Sequence, residues 1–211
     1  FRYVALRRPI KNAQTHDYAR ITVYVAPFIS LIPPNSSYNV ASVVVPADNT
    51  STWFYFISWG GTDTVGTDEW RAFNHLVKGV DIDEHYNSRR TMDNDFGQDR
   101  DAMASGNFTG IKGIPNQDIA MWVSMGKIAD RRRDTLGASD IAVVEFRRLM
   151  VEAVKQFRDG AAAAIGTAEP RVPQIEIASY QGIVSKGTDW LTLGTQETEQ
   201  AILNNMAKAA S

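Results

Sequence analysis

Apolar and polar residues alternate along the first third of the chain with the two-residue period of pleated strands. Phe1 to Leu6 reads as one strand. Ile21, Val23 and Val25, interleaved with Thr22, Tyr24 and Ala26, read as a second. The run Pro33-Pro34-Asn35-Ser36-Ser37 breaks the pattern and Val40 to Val45 resumes it. Pro46-Ala47-Asp48-Asn49 then turns the chain into the aromatic strand Trp53-Phe54-Tyr55-Phe56-Ile57-Ser58-Trp59. Short connections between successive strands favour an antiparallel meander.

The period then changes. A short helix is expected from Thr67 to about Lys78, with Asp68 and Glu69 in its first turn, where negative charge is favourable. Residues 80–113 are polar and irregular, a length of apparent loop that signals function or a subunit contact. Pro115 suits the first turn of another helix. The clearest helix runs from Asp140 to about Arg158 with Ser139 as its N-cap. Val143, Phe146, Met150, Val154 and Phe157 recur on one side of it, and Glu145, Arg148, Glu152, Lys155 and Asp159 on the other. A small-residue stretch follows at 160–166, and 196–208 predicts a final helix. The sum is an α+β domain of the helix-grip kind, an antiparallel sheet around a long C-terminal helix with an apolar cavity between them.

Composition narrows the class. The 211 residues are 44% hydrophobic and 22% charged, with a net charge of −2, which argues against a general nucleic-acid binder. No apolar run reaches bilayer-spanning length and no signal peptide opens the chain, so a cytoplasmic protein that binds no membrane is expected. On that expectation the sequons at Asn35, Asn49 and Asn107 are chance matches. The absence of cysteine excludes disulfides, Cys-ligated zinc and Cys-ligated iron–sulfur clusters from this chain. Because Phe1 already lies in a strand with no initiator Met, a piece of a longer protein is expected.

Histidine is scarce. His16 suits a turn between strands, His75 falls in the short helix, and His85 ends the acidic run Asp81-Ile82-Asp83-Glu84, which reads as a hydrated loop more readily than as a metal site. Arg131-Arg132-Arg133 reads as a solvated face or subunit contact. Asp118 on its own is simply an acid near a helix start.

A longer pattern changes that reading. Gly110-Ile111-Lys112-Gly113-Ile114-Pro115-Asn116-Gln117-Asp118-Ile119-Ala120-Met121-Trp122 runs on through Met125-Gly126-Lys127-Ile128-Ala129-Asp130-Arg131 to Leu136-Gly137-Ala138-Ser139-Asp140. With Phe1-Arg2-Tyr3, Leu6-Arg7-Arg8-Pro9 and Val25-Ala26-Pro27-Phe28, it resembles the C-terminal portion of phthalate 4,5-dioxygenase-like Rieske oxygenase large subunits, from residue 1 to about 158. The resemblance implies a START-like catalytic domain over residues 1–160, with 161–211 as a C-terminal extension or subunit contact. It also implies one mononuclear non-haem Fe(II) held by two His and one carboxylate, three facial ligands that leave positions open for dioxygen. The carboxylate in the family's Gln/Glu-Asp pair matches Gln117-Asp118, making Asp118 the expected ligand. The two His are expected upstream of Phe1, since His16, His75 and His85 lack the family's spacing.

The family's [2Fe–2S] Rieske cluster is expected outside this chain, with electrons from NAD(P)H arriving through a separate reductase and a trimeric or hexameric homo-oligomer carrying them between subunits. Phe28, Trp53, Tyr55, Phe56, Trp59, Met121 and Trp122 are candidate walls for an aromatic substrate, although aromatic residues on a sheet also serve as core. Arg7 and Arg8 are candidate partners for its carboxylate. The implied activity is hydroxylation of an aryl carboxylate with O2. Alternatives are O-demethylation on the same scaffold, a non-catalytic START-like module for hydrophobic ligands, and an inactive truncated product.

Overall fold

The computed structural model describes residues 1–33, 38–60, 65–167 and 178–194. It divides the chain into two compact units, residues 1–45 with 135–211, and residues 46–134.

The first unit is built on an antiparallel sheet. Strand β1 (Arg2–Arg7) pairs with β2 (His16–Val25), β2 with β3 (Ile29–Ile32), and β3 with β4 (Asn39–Pro46). A further strand from late in the chain, Tyr180–Ser185, also pairs with β2, from His16↔Ser185 to Ile21↔Tyr180. β2 is therefore bonded along both edges. Its odd-numbered residues Ala19, Ile21 and Val23 are buried, and Ala19 and Ile21 form a core with Tyr180 and Leu193, flanked by Val4, Val184 and Trp190. Arg2 donates to the carbonyls of Leu191 and Leu193, tying β1 to that late segment.

The expected meander is present, with two strands that the hydrophobic pattern did not separate out, Ile29–Ile32 and Tyr180–Ser185. The long helix, Ile141–Arg158, is also present, capped by Asp140 rather than Ser139. The Asp140 carboxylate accepts from the Gly137 amide at 2.8 Å, bracing the turn that leads into it. The helix meets the sheet at Tyr24, whose ring lies 5.1 Å from that of Phe146 at 80° and whose hydroxyl reaches the Met150 sulfur at 3.8 Å. Tyr24 has the opposite parity on β2 to Ile21 and Val23, so the helix contacts the face away from the Ile21 core. The remainder of its apolar stripe, Val143, Val154 and Phe157, is exposed. The fold is thus α+β with an antiparallel sheet and one long helix.

The second unit holds β5 (Thr52–Trp59), α1 (Thr67–Asn74), α2 (Arg100–Ala104) and α3 (Ile114–Ser124), which makes the 141–158 helix α4 and the 180–185 strand β6. α1 stops at Asn74, four residues short of expectation, because His75 adopts the left-handed conformation at φ 52° and its amide closes back on Ala72. The expected helix over 196–208 lies outside the described residues. No helix among the described residues is long and apolar enough to cross a membrane.

Candidate functional site

Asp118 sits on α3, and the start of that helix is held from several directions. Gly113 precedes it at φ 82°, where a β-carbon would collide with the Asn74 carbonyl oxygen, so only glycine permits this approach of the two segments. Pro115 occupies the first turn, where its missing N–H costs nothing, and is fully buried. Asn116 is 3% exposed and donates to the carbonyls of His75 (2.8 Å) and Lys112 (2.9 Å). Gln117 donates to the Ile111 carbonyl at 2.9 Å.

Helical geometry then sorts the side chains. Asn116 and Ala120, four apart, share the buried face. Asp118, Met121 and Trp122 share another, and all three are exposed. The Asp118 carboxyl is nevertheless partly screened from water, and this desolvation raises its pKa above the usual aspartate value. No hydrogen bond or ion pair to a described residue offsets it. A carboxylate in that condition is open to a cation.

Trp122 meets Phe54 edge to face at 5.3 Å. Phe54 stacks with Phe56 at 6.0 Å, Phe56 with Trp70 at 5.4 Å, and Trp70 with Phe73 at 5.9 Å. The Trp70 indole N–H donates to the Phe56 carbonyl at 2.9 Å. Of the expected substrate-wall residues, Phe56 and Trp122 are therefore joined in one aromatic row. Phe54 and Trp70, members of that row, were not anticipated. Trp53, Tyr55 and Trp59 have the opposite parity on β5 and are exposed on its other face, and Met121 is 62% exposed.

The acidic loop before α3 is internally engaged. Asp81 pairs with Arg90 at 2.9 Å and accepts from the Val77 amide at 3.0 Å, while Glu84 pairs with Lys78 at 3.1 Å. Asp83 accepts from the side chain and backbone of Asn87 and the backbone of His85, and these bonds hold its pKa below the usual value. His75 caps α1, and His16 opens β2 with its Nδ1 2.8 Å from the Thr15 hydroxyl. Among the described residues no three His, Asp or Glu side chains gather to hold a metal ion. Among the described residues Asp118 therefore stands apart from any ready-made cluster of metal ligands.

In the first unit, Arg7 and Arg8 come together on an open cleft of about 570 Å³, with Leu6, Ala13, Gln14, Asp17 and Lys186. Three cations against one carboxylate give that cleft an anion-favouring lining. Phe28 belongs to the same unit, half-buried just before β3.

These features fall within a recognised class. The chain belongs to the family described as LigXa C-terminal domain like, whose pattern matches residues 1–211. It is 58% identical over 191 residues to the phthalate 4,5-dioxygenase oxygenase subunit of Pseudomonas putida, covering 90% of this chain and 43% of that protein. It is 30% identical over 205 residues to the 3-chlorobenzoate-3,4-dioxygenase oxygenase subunit of Comamonas testosteroni, covering 88% of this chain and 46% of that one. The chain thus spans less than half the length of either relative.

Proposed function

We propose that this chain is the mononuclear-iron catalytic domain of a Rieske-type oxygenase subunit that hydroxylates an aromatic carboxylate with O2. The observation that carries the proposal is Asp118: an uncompensated, partly desolvated carboxylate on α3, one helical turn from Trp122, inside the segment that resembles the family's ligand motif. Asp118 supplies one ligand to Fe(II), and two His from outside these residues complete the set. Fe(II) held there would supply open coordination positions for dioxygen chemistry. The Trp122–Phe54–Phe56 row of the second unit supplies an apolar wall for a ring, and in the first unit, taken by itself, Arg7 and Arg8 offer charge-assisted donors to a carboxylate.

In this reading a [2Fe–2S] Rieske cluster held outside this chain, in a trimeric or hexameric homo-oligomer, would supply electrons drawn from NAD(P)H by a separate reductase. The domain over residues 1–160 is read as START-like, with the contact of α4 on Tyr24 as the start of a helix-grip arrangement and 161–211 as its extension. The charged lining of the Arg7–Arg8 cleft speaks against the alternative of a lipid-carrying module.

The test is Asp118→Ala in the full-length subunit. Oxidation of an aryl carboxylate such as phthalate should be abolished and iron per subunit should fall by the mononuclear share, with the cluster's visible spectrum unchanged. The 211-residue chain alone should lose added Fe(II) on desalting, since one carboxylate without two imidazoles holds it weakly. Wild-type turnover and full iron content in Asp118→Ala would end the proposal.

A further inference from the structure

Asp118 is placed by a device on the far side of its helix. At 3.6 residues per turn, Asn116 and Asp118 project about 200° apart on α3. Whatever fixes the direction of Asn116 therefore fixes the opposite direction for Asp118. Asn116 is almost fully buried, and its one amide group donates twice, to the carbonyl of His75 at the end of α1 and to that of Lys112 in the approach to α3. The His75 carbonyl is itself set by the left-handed turn that ends α1. Asn74, 3% exposed, donates from its side chain to the Trp70 carbonyl at 2.8 Å, and its own carbonyl lies against Gly113. The two helix ends are thus latched through one side chain and one close approach.

We propose that Asn116 is a positioning residue for the metal ligand: its bonds to His75 and Lys112 set the rotation and height of the first turns of α3, and so the place at which the Asp118 carboxylate is presented. The inference rests on the reading of Asp118 as an iron ligand. It assigns a task to a side chain that cannot itself reach the metal from the buried face. No other residue type does the same work in that space. Alanine removes both donors, aspartate turns oxygen toward two carbonyls, and serine has one donor on a shorter arm.

The experiment uses the full-length subunit stripped of mononuclear iron, with Fe(II) added back anaerobically, and measures Fe(II) affinity beside the melting temperature. Asn116→Ala should weaken Fe(II) binding roughly tenfold to a hundredfold, the range seen when groups that orient metal ligands are removed. Asn116→Ser, which leaves a smaller void, should fold readily and lie between Ala and wild type. The comparison is Ile21→Val, a core change in the other unit that lowers the melting temperature without touching α3; its Fe(II) affinity should match wild type. Affinity within twofold of wild type in either folded Asn116 variant, or the same loss in Ile21→Val, overturns the latch. If Asp118→Ala itself retains iron, the ligand assignment fails instead, and the two failures are told apart by that one variant.

Discussion

Arg90 donates from Nη2 to Asp81 Oδ1 at 2.9 Å, with both side chains sheltered from solvent. The pair fastens the loop that leads toward α3, because Asp81 also accepts from the Val77 amide and the Arg90 guanidinium reaches the Phe96 carbonyl at 3.4 Å. Removing one partner from a sheltered pair leaves the other charge uncompensated. Arg90→Ala should therefore cost about 3–5 kcal/mol of stability. Arg90→Met combined with Asp81→Leu should recover part of that, short of full recovery because the Val77 amide loses its acceptor. Urea titrations of the single and double variants decide it, and equal losses in both would remove the ion pair from the account.

The core and the long helix make opposite forecasts. Ile21 is fully buried among Ala19, Tyr180 and Leu193, so Ile21→Ala should destabilise the 211-residue chain by about 2–5 kcal/mol. Val143, exposed on α4, should tolerate alanine within about 0.5 kcal/mol. Comparable losses at the two positions in thermal melts would mean that α4 buries its stripe as well.

Two glycines of similar φ bear on conformational strain and crowding. Gly126 has φ 88° with nothing within 4 Å of a would-be β-carbon, whereas Gly113, at φ 82°, faces the Asn74 carbonyl. Gly126→Ala should cost about 1–2 kcal/mol, the left-handed penalty alone. Gly113→Ala should cost clearly more, since α1 and α3 must also move apart. Matching losses by chemical denaturation would leave no role for the close approach.

Asp118 gives a pH dependence of known sign. Its folded pKa is raised by desolvation, so between the unfolded and folded values the folded chain binds more protons, and stability falls as pH rises through that window. Asp118→Asn removes the partly desolvated charge. It should stabilise the metal-free chain at neutral pH, and the gain should vanish once the pH lies below the unfolded pKa. A variant less stable than wild type at neutral pH would contradict this. On the proposed reading of Asp118 as an iron ligand, the same substitution should destabilise the iron-loaded subunit, because the cation would lose a ligand.

Much of the fold was legible because it is written locally. β1, β2, β4 and β5 announce themselves by alternation, α3 by Pro115, and α4 by its stripe. β3 is four residues long and β6 carries Gly182, too little pattern for either to stand out. The end of α1 was hidden because its left-handed residue is His75, not a glycine. At the candidate site, Asp118 stands out through a motif, whereas Asn116 carries no signal of its own. Its hydrogen bond reaches a carbonyl 41 residues away, and nothing in the adjacent sequence marks it. The split between Phe56 and Trp53 was readable in principle, since residues of opposite parity on one strand cannot line the same wall.

The pairing of β6 with His16–Ile21 has a consequence for the order in which the chain is made. A ribosome delivers residues 1–45 ahead of residues 46–211, yet Ile21 stays uncovered until Tyr180 and Leu193 emerge. At ~5–20 residues per second that wait is on the order of ten seconds. Throughout it the nascent sheet exposes the edge of β2 that β6 will occupy, an open template for any extended segment nearby. Residues 46–134 are all present before β6 exists and carry no such delay among themselves. Synthesis thus leaves the His16–Ile21 edge unpaired longer than any contact within residues 46–134, which makes that edge, not the 46–134 unit, the segment most in need of a chaperone.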